Sequence, residues 1–490
     1  MASEMGRIVR SGFWLYLCSL TNNVFGFFYW LLISKIGGPR ILGFVSATIG
    51  LASLVTSLFS MGIPIGVQRF LGMHMRNREE LTKFFWSSTL LLLASEFCAG
   101  TMLAIIALMG RCVGNYTPAM MIFASVFVSL SSLSLSLQAL LVSILRTSVL
   151  AIATLIGNLA KLCLGVSLVY AGFGWIGAAL GYLAIPLAIA ITGSVEARRF
   201  VSLKPCFDRY HATESLRAGL ASWIPNAILI LGQQLAVVTV FGTHGAFETG
   251  RFYLAYTIAG FVGAVATSML MLLLPVLSSM EQGREALCKH AIRLCLAVVT
   301  PIAIILATYP ELSLSLLGAS YVEAAPSLSI LALAILALVP TTAITNLFYS
   351  YGDYRKVALA GLCSSLPRVV LYATLVPSYG GIGAAIAYTV GAYTPLPYLI
   401  TIARGRIRIE TRKLFATLAI PIAIAVTIRA VDAPWLLGVP LIAASYLAYT
   451  RLRIVSRNDV KILLSAFLSS KTLNAVYRRA KPLIDLVVPP

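Results

Sequence analysis

The sequence predicts an all-α, polytopic membrane protein with about fourteen transmembrane helices. They form two parallel six-helix lobes, related by a pseudo-twofold axis along the membrane normal, plus two C-terminal helices. Three observations predict this: an apolar content beyond what a water-soluble core can hold, charge-free windows of bilayer length, and a charged motif that returns at a fixed interval. Of 490 residues, 59% are hydrophobic and 11% charged, and the mean hydropathy is +0.91. A soluble domain cannot bury that much apolar surface.

The windows fall near 11–34, 41–63, 84–109, 119–141, 149–172, 176–195, 219–242, 252–277, 290–309, 326–349, 357–377, 382–403, 414–430 and 434–450. Each is long enough to cross a hydrocarbon slab of about 30 Å. Their apolar residues run continuously and do not alternate, which selects helices over barrel strands. Arg7 and Arg10 precede the first window as they would in a secretion signal. That window is too long for one and lacks a small-residue cleavage site, so it reads as a retained helix.

The interval is set by NREELTK at 77–83, whose Arg78, Glu79, Leu81 and Lys83 recur as Arg284, Glu285, Leu287 and Lys289. The offset is 284 − 78 = 206. Ile176-Gly177-Ala178-Ala179 and Ile382-Gly383-Ala384-Ala385 share it, with Tyr182 and Tyr388 following each. Two matches with one spacing mark an internal repeat, and the six helices between copies return the chain to the same face. The expected organisation is an N-lobe over 1–195 (helices 1–6), a cytoplasmic linker over 196–218 and a C-lobe over 219–405 (helices 7–12). Helices 13 and 14 then occupy 406–455, and a basic amphipathic tail on the inner membrane surface occupies 456–490.

The net charge of +20 does not indicate nucleic acid. With the amino terminus inside, about 30 of the 37 Lys and Arg residues fall in cytoplasmic segments, the distribution expected of membrane topology. A multi-pass protein of the cell membrane with both termini cytoplasmic follows. Chemistry is sparsely provided. Cys18, Cys98, Cys163, Cys295 and Cys363 lie inside windows with no CxxC pair, so neither a disulfide framework nor a thiolate metal site is expected. His74, His211, His244 and His290 lack metal spacing. No GxxxxGKS-type loop offers a nucleotide site. The chain reads as a transporter without cofactors and not as an enzyme.

Residues 34–70, SKIGGPRILGFVSATIGLASLVTSLFSMGIPIGVQRF, carry the Gly-rich turn, Leu42-Gly43-Phe44, and the exit Gly62-Ile63-Pro64 to Arg69-Phe70. Gly250, Phe252-Tyr253, Ala255-Tyr256 and Pro275-Val276 form a similar element in the second half. Over about residues 11–405 the chain thereby resembles the Wzx-type flippases of the multidrug/oligosaccharidyl-lipid/polysaccharide (MOP) exporter superfamily. The resemblance implies translocation of an isoprenoid-linked oligosaccharide, a polyisoprenyl phosphate or diphosphate, from the inner to the outer leaflet by alternating access. Membrane lipids and glycan-assembly enzymes are the implied partners. The alternative is a cation-coupled multidrug exporter. Those typically keep a carboxylate in the first or seventh helix, where this chain has Asn22, Asn23, Gln233 and Gln234.

Charges within a bilayer cost about 2.5–3.5 kcal/mol each on insertion scales and so tend to face a cavity or a partner. Lys161 in helix 5 and Arg368 in helix 11 are 207 residues apart, one off the repeat offset, and are candidates for holding the diphosphate. Arg69 and Arg146 end helices 2 and 4 at the inner face, as phosphate entry residues or as topology anchors. Asn22, Asn23, Gln233 and Gln234 are candidates for sugar hydroxyls or for interhelical hydrogen bonds. Glu96, the one acid deep in a span, is expected to pair with a cation or to take up a proton. Glu248 and Arg251, three residues apart, are expected to form a local ion pair at the outer face.

Overall fold

A computed structural model of the chain describes residues 2–74, 77–111, 114–202, 204–271, 273–404 and 411–452. Among these residues every regular element is helical. In chain order they are α1 (Ala2–Phe59), α2 (Ile63–Met73), α3 (Arg78–Leu108), α4 (Pro118–Ser143), α5 (Thr147–Leu168), a π-turn (Val169–Phe173), α6 (Gly174–Tyr182), α7 (Ala184–Ala197) and α8 (Arg209–Leu270). Then follow α9 (Leu273–Ser279), α10 (Arg284–Thr308), α11 (Pro310–Ser315), a 3-10 segment (Ala319–Ala324), α12 (Ala325–Ser350), α13 (Tyr354–Tyr393), α14 (Pro395–Ala403), α15 (Thr411–Ala430), α16 (Trp435–Ala443) and α17 (Ser445–Arg451). The basic tail over 456–490 lies outside the described residues.

Eight helical stretches are long and apolar enough to cross a membrane. Two of them, Ser11–Phe59 and Thr147–Ala197, run 49 and 51 residues. At 1.5 Å per residue that is over twice the hydrocarbon thickness, so each must turn within itself. The turns are glycines. Gly38 interrupts α1 with φ 67° and ψ −177°, and Gly245 interrupts α8 with φ 76° and ψ −169°. Gly174 follows the π-turn with φ 57° and ψ −138°, and Gly380 breaks α13 with φ 52° and ψ −128°. Positive φ is a conformation that glycine adopts without a Cβ penalty. The paired breaks lie 207 and 206 residues apart, so the duplication read from the charged motif recurs in backbone torsion. Helix lengths with these breaks are compatible with fourteen crossings.

The repeated motif itself starts helices. Asn77 caps α3, its side chain accepting from the N–H groups of Glu79 and Glu80 at 3.2 and 3.3 Å, and the two acids meet the positive end of the helix dipole. Lys83 closes the turn on Glu79 at 2.8 Å. In the second copy Gly283 caps α10 in a left-handed conformation, and Arg284 donates to the carbonyls of Met280 and Ser350 at 2.6 and 2.9 Å.

Two compact units can be distinguished. They cut across the sequence halves: Met1–Thr257, Leu317–Ala324 and Ser365–Ala387 form unit 1, and Ile258–Leu316, Ala325–Ser364 and Tyr388–Pro490 form unit 2. In unit 1, α1 and α5 run parallel and in register. Thr147 donates to the Ser11 carbonyl, and Asn158 donates to Asn22, both with a separation of 136 residues. Gly165 meets Tyr29 at the same separation; a Cβ on Gly165 would lie 2.6 Å from the tyrosine oxygen. Lipid gives helices no hydrophobic reason to associate, so small residues that admit close backbone approach do that work.

Glycine contacts also join the two repeats within unit 1, at both ends of the part of α1 that follows the Gly38 break. Near the breaks a Cβ on Gly43 would stand 1.7 Å from the Ala246 carbonyl oxygen, and one on Gly250 would stand 1.8 Å from that of Pro39. The two contacts are reciprocal under the 207-residue shift. Beside them Asn115 donates to the carbonyls of Phe241 and Gly242 at 3.1 and 3.2 Å. At the opposite end a Cβ on Gly62 would meet the Gly219 oxygen at 2.4 Å, and one on Gly66 the Ser215 oxygen at 2.4 Å. In unit 2, α10 packs against α12 and α15, and the buried Tyr449 of α17 joins them by donating to the Thr417 carbonyl of α15 at 2.6 Å.

Asp208 caps α8 by accepting from the N–H groups of Tyr210 and His211 at 2.8 and 3.1 Å. The His211 ring then sits between acids: Nε2 is 3.0 Å from Glu80 and Nδ1 2.8 Å from Asp208. Burial alone would lower its pKa, but the bonds to Glu80 and Asp208 outweigh that and hold it above the ordinary histidine value of 6.5. A raised folded-state pKa stabilises fully below the unfolded value and is lost as pH rises through the folded one. The apparent unfolding midpoint is therefore expected to fall from pH 6 to pH 9, and His211→Gln to flatten that slope. An unchanged slope in the variant would remove His211 as the titrating group.

Candidate functional site

Lys161 is 2% exposed in the middle of α5, and no ion pair or hydrogen bond to it occurs among the described residues. Its ammonium instead lies 5.1 Å from the Tyr29 ring centroid and 5.0 Å from that of Tyr182, within cation–π range. Trp30 packs on Tyr182 at 5.7 Å and on Tyr253 at 4.9 Å. Two rings, Tyr29 of α1 and Tyr182 of α6, thus face a cation from α5, and Trp30 of α1 and Tyr253 of α8 extend the aromatic cluster behind them; all lie in unit 1. The Tyr29 hydroxyl is fixed by donation to the Ala178 carbonyl at 2.6 Å, so the cage is rigid on that side.

One turn before Lys161, Asn158 donates to Asn22 at 2.7 Å while its own Oδ1 is buried without a partner. Asn22 is therefore an interhelical tie, and it extends a polar strip along the α1–α5 seam toward Lys161. Asn23 is exposed and Gln234 half-buried. The side chain of Gln233 lies outside the described residues.

Arg368 is 8% exposed on α13, packed with Ser365 against Gly232 of α8. Here the sequence separation, 368 − 232, is again 136, so the second repeat reproduces the α1–α5 register. The ring and the glycine change places between repeats: Tyr29 of the first-repeat helix packs on Gly165, whereas Tyr372 of α13 donates to the Gly232 carbonyl at 3.1 Å.

The other candidates divide. Arg69 is exposed, its guanidinium 5.9 Å from the Phe70 ring. Arg146 is committed to Glu196 at 3.4 Å and lies over Phe200 at 5.7 Å. The expected local pair of Glu248 with Arg251 is absent among the described residues, and each takes a more distant partner. Arg251 pairs with Glu323 at 2.5 Å and donates to the Ser320 carbonyl at 2.8 Å. Glu248 accepts from the Gly381 N–H at 3.1 Å and so ties down the break at Gly380. A helical spacing of three permits contact, but a free backbone N–H at a broken helix competes for the carboxylate.

Glu96 is fully buried on α3, and neither carboxyl oxygen has a hydrogen-bond partner. Of the two expectations for it, pairing with a cation does not occur among the described residues. Thr89, two turns earlier on the same face, is also buried with an unpartnered hydroxyl. One turn later, Gly100 packs on Ser125 and Ser129 of α4. Those α4 serines bond within their own helix, Ser129 to Ser125 at 3.1 Å and Ser132 to Ser129 at 2.6 Å. A buried carboxylate so placed needs a neutralising proton or cation.

Sequence reasoning missed Asn158 and the aromatic cage. Asn158 stands three residues from Lys161, a same-face helical spacing that was legible. Tyr29, Trp30 and Tyr253 were not, since aromatic residues in apolar helices are ordinarily packing residues.

Broken membrane helices, duplicated about one interval and carrying a buried cation at matching positions, define a two-repeat, multi-pass membrane protein. The fold is similar to that of the lipid II flippase MurJ in an inward closed conformation, with TM-score 0.73 and 16% identity over 89% of this chain and 98% of that one. It is also similar to an inward-facing multidrug resistance MATE family transporter, with TM-score 0.61 and 17% identity over 79% and 94% of the two chains. A MOP superfamily transporter from Pyrococcus furiosus matches at TM-score 0.51 and 16% identity, over 82% and 95%. No curated protein matches in sequence. The chain belongs to the polysaccharide biosynthesis protein family, whose model matches residues 47–326.

Proposed function

We propose that the protein flips an isoprenoid-linked oligosaccharide from the inner to the outer leaflet of the cell membrane, with both termini cytoplasmic and the two repeats rocking to give alternating access. The observation that carries the reading is the pair of buried cations, Lys161 and Arg368, at equivalent helices of a polysaccharide-biosynthesis family member. They would offset the charge of a (di)phosphate in transit. The aromatic rings around Lys161 would stack on sugar faces, and Asn22, Asn23, Gln233 and Gln234 would meet hydroxyls. Arg69 would receive the headgroup at the inner face, and Arg146 would contribute there through its position beside Glu196. An inside-negative potential favours outward movement of the anion by about 2.3 kcal/mol per charge per 100 mV.

Glu96 favours a coupled version of this reading: a buried carboxyl without a partner supplies a place for a proton or cation to ride back. Proteoliposomes loaded with a fluorescent lipid-linked glycan test both parts. Arg368→Ala is expected to slow leaflet exchange at least tenfold, since a buried charge contact is worth several kcal/mol. Glu96→Gln is expected to remove acceleration by a pH or Na⁺ gradient. Unchanged exchange in Arg368→Ala would take that residue out of the mechanism. No exchange of any lipid-linked glycan, with gradient-driven efflux of cationic dyes, would favour the multidrug exporter.

A further inference from the structure

At the end of unit 1 that carries Gly62 and Gly219, the seam between the repeats contains a titrating group. The segment between α7 and α8 is strapped to the start of α3. The Ser202 N–H donates to Thr82 Oγ1 at 3.1 Å, Trp86 Nε1 donates to the Ser202 carbonyl at 2.7 Å, and the Asp208 N–H donates to Ser87 Oγ at 2.9 Å. None of these groups changes charge near neutral pH, so the strap holds the start of α8 within reach of α3 under all ordinary conditions. Seating the first turns of α8 takes further contacts. The hydroxyls of Ser88 and Ser215 are hydrogen-bonded at 2.9 Å, Gly66 of α2 packs on the Ser215 carbonyl, and the buried His211 reaches across to Glu80 of α3.

Geometry fixes the charge state that suits His211. Nε2 lies 3.0 Å from a Glu80 oxygen and Nδ1 2.8 Å from an Asp208 oxygen. Both carboxylates only accept, and a neutral imidazole has a single N–H, so the two contacts are attractive together only when each ring nitrogen carries a proton. Loss of that proton leaves a ring lone pair facing a carboxylate oxygen. The other charged or titratable groups around the ring are few. On α3, Lys83 lies 2.8 Å from Glu79 and 3.4 Å from Glu80. The strap supplies Cys206 beside Asp208, and α8 itself supplies Arg209 and Glu214, the latter paired with Arg217 at 3.1 Å. His74, after α2, stacks on Phe84, whose ring also meets that of His211.

The opposite end of the seam is built differently. There the repeats meet through the Gly43 and Gly250 backbones, the Asn115 amide and the Tyr321 hydroxyl, which donates to the Ser34 carbonyl at 3.0 Å. These groups keep their charge across neutral pH.

We propose that the imidazolium of His211 latches α8 to α3, so that a proton taken up from the adjoining solution seats the first turns of α8 and its loss frees them. One end of the seam thereby responds to protons and the other does not. Seated α8 binds one more proton than freed α8, so the balance between them shifts at most about tenfold per pH unit. On the orientation and alternating access proposed above, the proton comes from the cytoplasm, and an acidified cytoplasm would hold the inner face shut against cargo. The latch itself rests on neither.

Hydrogen exchange of the full-length protein in phospholipid nanodiscs tests it, with amide rates at about pH 6 and about pH 9 corrected for intrinsic chemistry. Protection over residues 209–217 is expected to fall on the order of tenfold at the higher pH, while residues 39–50 at the other end of the seam stay unchanged. His211→Gln, which keeps a donor and loses the charge, is expected to give the same low protection at both pH values. An unfolding midpoint that matches wild type at the higher pH excludes misfolding. If that variant does not fold, Glu80→Gln, which removes the acceptor on α3, must lower the protection at pH 6 to its pH 9 value. Wild-type protection indifferent to pH, or a pH response that survives in the glutamine variants, would overturn the latch. A responsive latch in a protein whose leaflet exchange ignores the pH on the cytoplasmic side would overturn its role as a gate. Absence of leaflet exchange with any glycan bears on the cargo alone, because amide protection is read without it.

Discussion

Replacing Gly43 and Gly250 together by valine is expected to force open the end of unit 1 that carries the Gly38 and Gly245 breaks, and to cut transport at least tenfold. A Cβ at either position would stand under 2 Å from a backbone oxygen of the other repeat, and a backbone carbonyl cannot move aside as a flexible side-chain tip can. Overpacking costs about 1–3 kcal/mol per site. Two sites therefore bias the contact against closure by roughly 10²-fold, enough to depopulate any state that needs it. Hydrogen exchange should quicken over residues 38–44 and 242–250, while Gly72→Ala, which meets nothing within 4 Å, should leave exchange and transport alone. Gly43→Ala gives a graded version if the valine pair does not fold. Protected amides together with full transport in the valine pair would show that the contact is dispensable.

The second large effect belongs to Lys161. Its burial costs about 2.5–3.5 kcal/mol on insertion scales, and cation–π contact with Tyr29 and Tyr182 returns about 0.5–2 kcal/mol per ring. The two nearly cancel. Lys161→Met is therefore expected to shift the unfolding midpoint by no more than about 4 °C, while leaflet exchange falls about 100-fold through loss of a desolvated charge contact. Lys161→Arg should retain part of the exchange. A midpoint drop of tens of degrees would make Lys161 structural, and normal exchange in the methionine variant would sever it from transport.

The fold was largely legible because its signals are one-dimensional. Window length and charge placement follow from bilayer thickness, and the repeat of Arg78 and Glu79 at Arg284 and Glu285 needs no knowledge of packing. Lys161 and Arg368 stood out because a charge in an apolar helix is conspicuous. What resisted reading depends on which neighbour wins a competition. Glu248 has Arg251 one turn away, yet bonds the Gly381 N–H, which only the folded break at Gly380 presents. Glu96 has candidate cations in the same chain and meets none among the described residues, because helix faces are fixed by packing that no spacing rule contains. The aromatic cage was hidden among ordinary apolar residues, visible only when three helices bring Tyr29, Trp30, Tyr182 and Tyr253 together.

Of the features the two repeats share, the glycine turns agree most closely. Gly38 and Gly245 differ by 9° in φ and 8° in ψ, although their surroundings have diverged and a tyrosine–glycine pair has swapped sides. An ancestral gene fusion would leave this trace if corners must be inherited intact while walls can be rebuilt. Copies of such a corner are then better markers for aligning distant relatives than any charge they carry.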